Sequence, residues 1–178
     1  MKRLMFFALI ALFLTSCATK IPYTNKVRDD FDLTDDKLKQ VQFYTSRTII
    51  LERSGDKETI ATTGQRGDLQ VSKTSSSERI VIPANRPCIF EKRYEDGAIA
   101  IRFEPGDGRV LRFKQRPNTA SDRYYLEADW QGGRGELDYG GAVYHAVSGS
   151  SSAYIIVKLK QSQRNKRKDR VVRGMKVS

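Results

Sequence analysis

Few side chains in this 178-residue sequence could do covalent chemistry. A thiol nucleophile needs a base beside it to raise its thiolate fraction, and in the body of the chain the candidate partners are Cys88 and His145. Cys88 sits in Pro87-Cys88-Ile89-Phe90, an apolar setting where a free cysteine behaves as a small buried hydrophobe. His145, between Tyr144 and Ala146 in a segment of strand character, reads as a surface or packed histidine. Two cysteines and one histidine exclude by count a Cys/His zinc cluster, a disulfide framework and an enzyme built on several histidines. Glu104 and Asp107 are the nearest thing to paired carboxylates for acid–base work, but no motif fixes them together. Pro105-Gly106-Asp107-Gly108 and Gly132-Gly133-Arg134-Gly135 are rich in glycine, yet neither joins a strand to a helix as a phosphate loop does, so both read as turns. Ser148-Gly149-Ser150-Ser151-Ser152 lacks the Gly-x-Ser-x-Gly pattern of a nucleophile elbow and reads as a hairpin loop. The expectation is a non-enzymatic protein with no metal and no cofactor.

Two groups of residues could bind rather than react. Tyr124, Tyr125, Trp130, Tyr139 and Tyr144 are either core packing with hydroxyls at its rim or a stacking platform for a sugar or a partner protein, because amphipathic rings bind with little loss of entropy. The second group is electrostatic. Between Lys158 and Ser178 there are nine basic residues and one acid, Asp169, whereas the body from Cys17 to Val157 carries 21 basic and 20 acidic residues. The sequence pI of 9.8 is thus a property of the tail, and a basic nucleic-acid face on the fold itself is not expected. Arg164, Lys166, Arg167, Lys168, Arg170 and Arg173 make the tail a candidate arm for anionic surfaces, where each Lys or Arg contributes about 1 kcal/mol near a membrane. Lipid, anionic peptidoglycan and an acidic protein face all have the required charge. Its end, Val171 to Val177, could instead add to a sheet edge as a short strand.

The first residues give an address. Lys2 and Arg3 precede the apolar run Leu4 to Leu14, which is followed by Thr15, Ser16 and Cys17. This has the layout of a secretory signal, and it falls short of the about 20 apolar residues a membrane-spanning helix needs. Leu14-Thr15-Ser16-Cys17 resembles the lipobox of bacterial lipoproteins. That resemblance implies cleavage before Cys17 and attachment of a diacylglycerol to its sulfur, so the mature protein is held to a membrane by lipid. In the same family an Asp straight after the cysteine often retains a lipoprotein at the inner membrane. Ala18-Thr19-Lys20-Ile21 follows here, so the expected site is the periplasmic leaflet of a cell outer membrane. Two or three acyl chains, each contributing about 0.8 kcal/mol per buried CH₂, make such anchoring stable.

The elements that must position these residues are mostly strands. After a signal over 1–16, residues 17–33 read as a lipidated tether, 34–160 as one β-rich domain and 161–178 as the basic tail. Thr34 is placed as the cap of one short helix near Asp35 to Gln40, with acids in its first turn where the helix dipole favours them. Phe43 to Arg53 reads as a strand, and Gly55-Asp56 as the turn into Glu58 to Thr62. Asp68 to Thr74 and Glu78 to Pro83 follow, with Ser75-Ser76-Ser77 turning between them. Ala98 to Glu104 and Arg109 to Gln115 alternate apolar with polar residues around a Pro-Gly-Asp-Gly turn, the pattern of an antiparallel hairpin with one buried face. Tyr124 to Asp129, Gly135 to Tyr139, Ala142 to Val147 and Ala153 to Lys160 complete the series. About ten short strands at roughly ten-residue intervals predict an all-β domain, a single antiparallel sandwich or barrel-like fold with one short N-terminal helix. The functional expectation is an accessory or scaffold subunit of an envelope assembly with a protein partner or an anionic envelope surface. A carbohydrate or peptidoglycan binder is the alternative.

Overall fold

The structure, a computed structural model, describes residues 18–63, 69–117, 120–147 and 149–160. The leader, Cys17 and the basic tail lie outside the described residues. Twelve strands are described: β1 (Ala18–Pro22), β2 (Gln42–Thr45), β3 (Ile49–Thr63), β4 (Leu69–Ile82), β5 (Pro87–Arg93), β6 (Ile99–Arg102), β7 (Val110–Gln115), β8 (Tyr124–Leu126), β9 (Asp129–Gln131), β10 (Arg134–Tyr139), β11 (Ala142–Val147) and β12 (Ile155–Lys160). They form a seven-stranded sheet in the order β1-β12-β2-β5-β6-β7-β8 and a five-stranded sheet in the order β4-β3-β11-β10-β9. All pairings within these sheets are antiparallel. The expected all-β antiparallel fold is therefore present.

The two sheets share one apolar core. Phe43, Phe90, Ile101, Phe113, Ile155 and Val157 come from the larger sheet, and Ile49, Leu51, Ile82, Tyr139, Tyr144 and Ala146 from the smaller. The expected β6–β7 hairpin has the register Ile99↔Phe113 and Ile101↔Leu111, so all four side chains share the inner face, as the period of two requires. Ala98 and Ala100 on the other face are also fully buried. Ala100 lies opposite Arg112, whose long apolar stem can cover a small neighbour while its charge stays wet. The far edge of the larger sheet curls back on itself. Tyr125 bridges to Tyr154 and Arg123 to Thr24, and the Leu126 N–H donates to the Ala153 carbonyl at 2.9 Å.

Several strand boundaries differ from expectation, each for a local reason. Phe43 to Arg53 is two strands because the chain crosses between the sheets at Ser46-Arg47-Thr48. That corner is fixed by the Thr45 hydroxyl donating to the Pro83 carbonyl at 2.9 Å and by the Tyr154 N–H donating to the Ser46 hydroxyl at 2.9 Å. Tyr124 to Asp129 likewise divides into β8 and β9 at a crossing between sheets. Conversely, Gly55-Asp56 does not turn the chain. It is an irregularity inside β3, where the register against β4 shifts between Ser54 and Lys57, the bulge that a glycine within a strand often marks. Ser75-Ser76-Ser77 continues β4. The result is one long hairpin of 15 and 14 residues. β11 follows β3 only from Ile50 to Glu52, so from Ser54 outward β3 and β4 have, among the described strands, only each other as partners. At about 3.3 Å per residue, this ribbon runs roughly 30 Å past the sheet.

The N-terminal end of the domain also differs. Ala18 to Asp32, expected as tether, supplies edge strand β1 and the helix α1 (Asn25–Asp30). β1 pairs with β12 from Ala18↔Lys160 to Pro22↔Ile156. The Thr24 hydroxyl caps α1 by accepting from the Val27 N–H at 3.0 Å. The helix that the sequence does announce, α2, spans Asp35–Leu38 with Thr34 as its cap, and it seats Leu38 in the core. The described residues thus hold two short α-helices where one was expected.

Candidate binding cleft

An open cleft of about 840 Å³ lies at the β8 edge of the larger sheet. One wall comes from α1, with Asn25 and Arg28, and another from the turn between β5 and β6, with Tyr94 and Asp96. Lys114 and Gln115 at the end of β7, Tyr124 and Tyr125 on β8 and Trp130 on β9 complete it. A chain of hydrogen bonds stiffens one side. The Tyr124 hydroxyl donates to Asn25 Oδ1 at 2.8 Å, Asn25 Nδ2 donates to Gln115 Oε1 at 2.8 Å, and Gln115 Nε2 donates to the Asp122 carbonyl at 2.7 Å.

The charges beside the cleft are paired with one another. Arg112 binds Asp96 at 2.9 Å and Glu127 at 2.8 Å, and Lys114 binds Asp96 at 2.9 Å. The Lys114 hydrogen bond, the Ala98 backbone N–H and the neighbouring positive charges hold the Asp96 carboxyl below its ordinary range, against a smaller effect of desolvation. The Arg112 guanidinium lies 4.1 Å from the Tyr94 ring centroid, and that of Arg116 lies 4.5 Å from the Tyr125 ring. Such cation–π contacts fix ring orientation. The cleft therefore offers half-exposed aromatic rings beside hydrogen-bonding groups whose charges are largely balanced, which suits a neutral polar ligand better than a strongly ionic one.

Trp130 depends on a glycine across the hairpin. Gly135 pairs with Trp130 in the register of β9 and β10, and a Cβ built on Gly135 would fall 2.7 Å from the indole Cε3 and 2.8 Å from the Ala128 Cβ. The ring therefore lies across the Gly135 backbone. Gly132 and Gly133 form the two-residue connection, with φ of 54° and 83°, the left-handed pair that favours glycine in a tight β-hairpin. The glycine-rich stretch is a turn, as its lack of a following helix implies.

The expected aromatic group is divided. Tyr125 and Trp130 meet at the cleft, whereas Tyr124, though it lines the wall, is buried in the core against Tyr23, and Tyr139 and Tyr144 pack edge to face at 6.2 Å in the same core. The Tyr139 hydroxyl donates to Glu104 Oε1 at 2.9 Å, and Glu104 also pairs with Arg109 at 3.1 Å. Burial first, then the Glu104 carboxylate, pushes the Tyr139 hydroxyl above its ordinary range. Glu104 is thus committed to Tyr139 and Arg109, while Asp107 is exposed on the adjoining turn. Cys88 and His145 lie in different sheets. Cys88 is buried and opposite Phe43, and His145 faces Glu136 at 3.6 Å. No group of three or more His, Cys, Asp or Glu residues placed to hold a metal occurs among the described residues.

Sequence reasoning missed Tyr94 and the Arg112–Asp96–Lys114–Glu127 network. The signal was available in part, since Arg112 and Lys114 occupy the polar face of β7 and Asp96-Gly97 marks a turn. No protein-family model, curated protein or solved structure matches the chain.

Proposed function

We propose that the chain is a lipoprotein of the cell outer membrane, anchored through Cys17 and facing the periplasm, whose β domain acts as a non-enzymatic accessory or scaffold subunit of an envelope assembly. The observation that supports the scaffold role is the β3–β4 ribbon. Two strands alone in water are marginal, and each strand of the ribbon beyond Ser54 has one backbone edge without a neighbouring strand in the described sheets. Such an edge is a template for another chain to pair with. A photo-crosslinker at Ile60 is expected to give one discrete adduct in cells, and a chain whose residues 57–75 are replaced by an Asn-Gly turn is expected to keep its melting temperature yet no longer co-purify with the protein found in that adduct. The same cells should incorporate a fatty-acid analogue into the wild-type protein and not into Cys17→Ser. A ribbon probe giving no adduct would reject the scaffold role, and unlabelled wild-type protein would reject the anchor.

A second reading, a carbohydrate or peptidoglycan binder, is favoured by the cleft, where Tyr125 and Trp130 are half-exposed beside balanced charges. Trp130 is the sole tryptophan, so its emission reports on the cleft directly. Soluble glycan fragments are expected to shift that emission saturably. Gly135→Ala should move the unliganded emission to the red, remove the response and cost about 1–3 kcal/mol through overpacking. Emission indifferent to glycans in the wild type would reject this reading.

A further inference from the structure

Ala18 and Lys160 are directly opposed in the β1–β12 register. The residue before Ala18 is Cys17, and the residue after Lys160 begins the basic tail. The lipid attachment point and the root of the cationic arm therefore leave the fold from the same corner, one strand spacing apart, which is about 4.8 Å. No spacer separates the anchor from the folded domain, since β1 begins at the next residue.

That corner is itself cationic. Leu159 and Val157 point into the core, so Lys158 and Lys160 project outward, and both are exposed. Lys20 is exposed and lies directly opposite Lys158. Like charges facing one another across a strand pair destabilise a sheet, and the Lys20 ammonium turns over the Tyr44 ring at 3.7 Å rather than toward a carboxylate. Three outward lysines at the point where the chain is expected to meet its membrane match the charge of lipid phosphates.

We infer that the β1–β12 corner, Lys20, Lys158 and Lys160, seats on the anionic headgroups of the same bilayer that holds Cys17, and that the tail continues along that surface rather than reaching to a second one. The inference rests on the lipoprotein reading and goes beyond it by fixing the orientation of the domain. The tail starts at the headgroups, so its effective concentration there far exceeds that at any surface beyond the domain. A lipid anchor combined with a polybasic segment is a two-signal attachment, in which the charges add to what the acyl chains hold.

The test uses the full lipidated chain in vesicles of phosphatidylcholine, with or without one third phosphatidylglycerol, and reads tryptic cleavage in the tail between Arg164 and Arg170. Cleavage is expected to slow about tenfold or more with phosphatidylglycerol, given the number of charges engaged, and to recover in high salt. Lys20→Gln, Lys158→Gln and Lys160→Gln together, or a flexible spacer inserted between Cys17 and Ala18, should each remove much of that protection. Equal cleavage in both vesicles overturns the inference. Protection that ignores both phosphatidylglycerol and salt also overturns it, in favour of a tail docked on the protein. Failure to float with pure phosphatidylcholine vesicles overturns the lipid anchor itself, a result separate from the other two.

Discussion

Tyr23→Ala is expected to destabilise the mature chain by about 3–5 kcal/mol, the range for removing a large buried aromatic side chain. Tyr23 is fully buried. Its ring meets Phe43 edge-on at 5.6 Å and Tyr124 at 4.9 Å, so it fastens the N-terminal segment to both β2 and β8. Its hydroxyl accepts from Arg93 Nη2 at 3.3 Å, and Arg93 also pairs with Asp35 of α2 at 3.1 Å. Truncation would leave a cavity between three elements. Against a typical total stability of about 5–15 kcal/mol, the loss would show as a large fall in the urea midpoint. Tyr23→Phe keeps the ring and forfeits one hydrogen bond, so it should cost only about 1 kcal/mol. The pair of variants decides between a docked segment and a tether. In a solvated tether both substitutions would fall within about 0.5 kcal/mol of wild type.

That segment also shows why the sequence conceals part of this fold. β6, β7, β10, β11 and β12 were legible because one face of each alternates apolar residues and turn residues bound them. β1 is short, carries Thr19 and Lys20, and gains its stability from pairing with β12 and from Tyr23, neither of which local periodicity reports. β5 was missed for the opposite reason. In Pro87-Cys88-Ile89-Phe90, Cys88 and Phe90 point inward, but Ile89 is apolar and 52% exposed, which hides the alternation. Pro87 looks like a breaker, although a proline is tolerated as the first residue of a strand. Gly55-Asp56 and the three serines from Ser75 have turn chemistry, and only cross-strand pairing over the long hairpin turns them into a bulge and continuous strand.

The aromatic group was half legible. Gly140-Gly141 closes the β10–β11 hairpin with Tyr139 opposite Ala142, which puts Leu137 opposite Tyr144. By the period of two, Tyr139 and Tyr144 must then share a face, so their departure from the surface group follows from the turn. The meeting of Tyr94 with Tyr125 and Trp130 does not. It requires the β5–β6 turn to stand beside the β8 edge, a consequence of strand order that composition does not carry.

Raising the pH should unfold the protein through Cys88. Its side chain is 3% exposed, and burial alone pushes the thiol from an ordinary 9.0 up to about 12. A thiol raised in the native state stays protonated there while the unfolded chain gives up its proton, so the unfolded state binds fewer protons and stability falls as pH rises. The contribution is complete below about pH 9 and is lost as pH climbs toward 12. At about 1.4 kcal/mol per unit, the loss across that window is roughly 4 kcal/mol, an order-of-magnitude figure but a large share of the total. Burial raises the Tyr23 hydroxyl in the same sense, which adds to the alkaline loss above the ordinary tyrosine range. Urea midpoints should be measured near pH 8 and near pH 11 on a mature chain with Cys17→Ser, where Cys88 is the sole thiol. Adding Cys88→Ala should lower the midpoint near pH 8 by leaving a small void, yet flatten the decline between the two pH values. Parallel declines with and without the thiol would show that burial of Cys88 does not set the alkaline limit, because an alanine has no proton to lose.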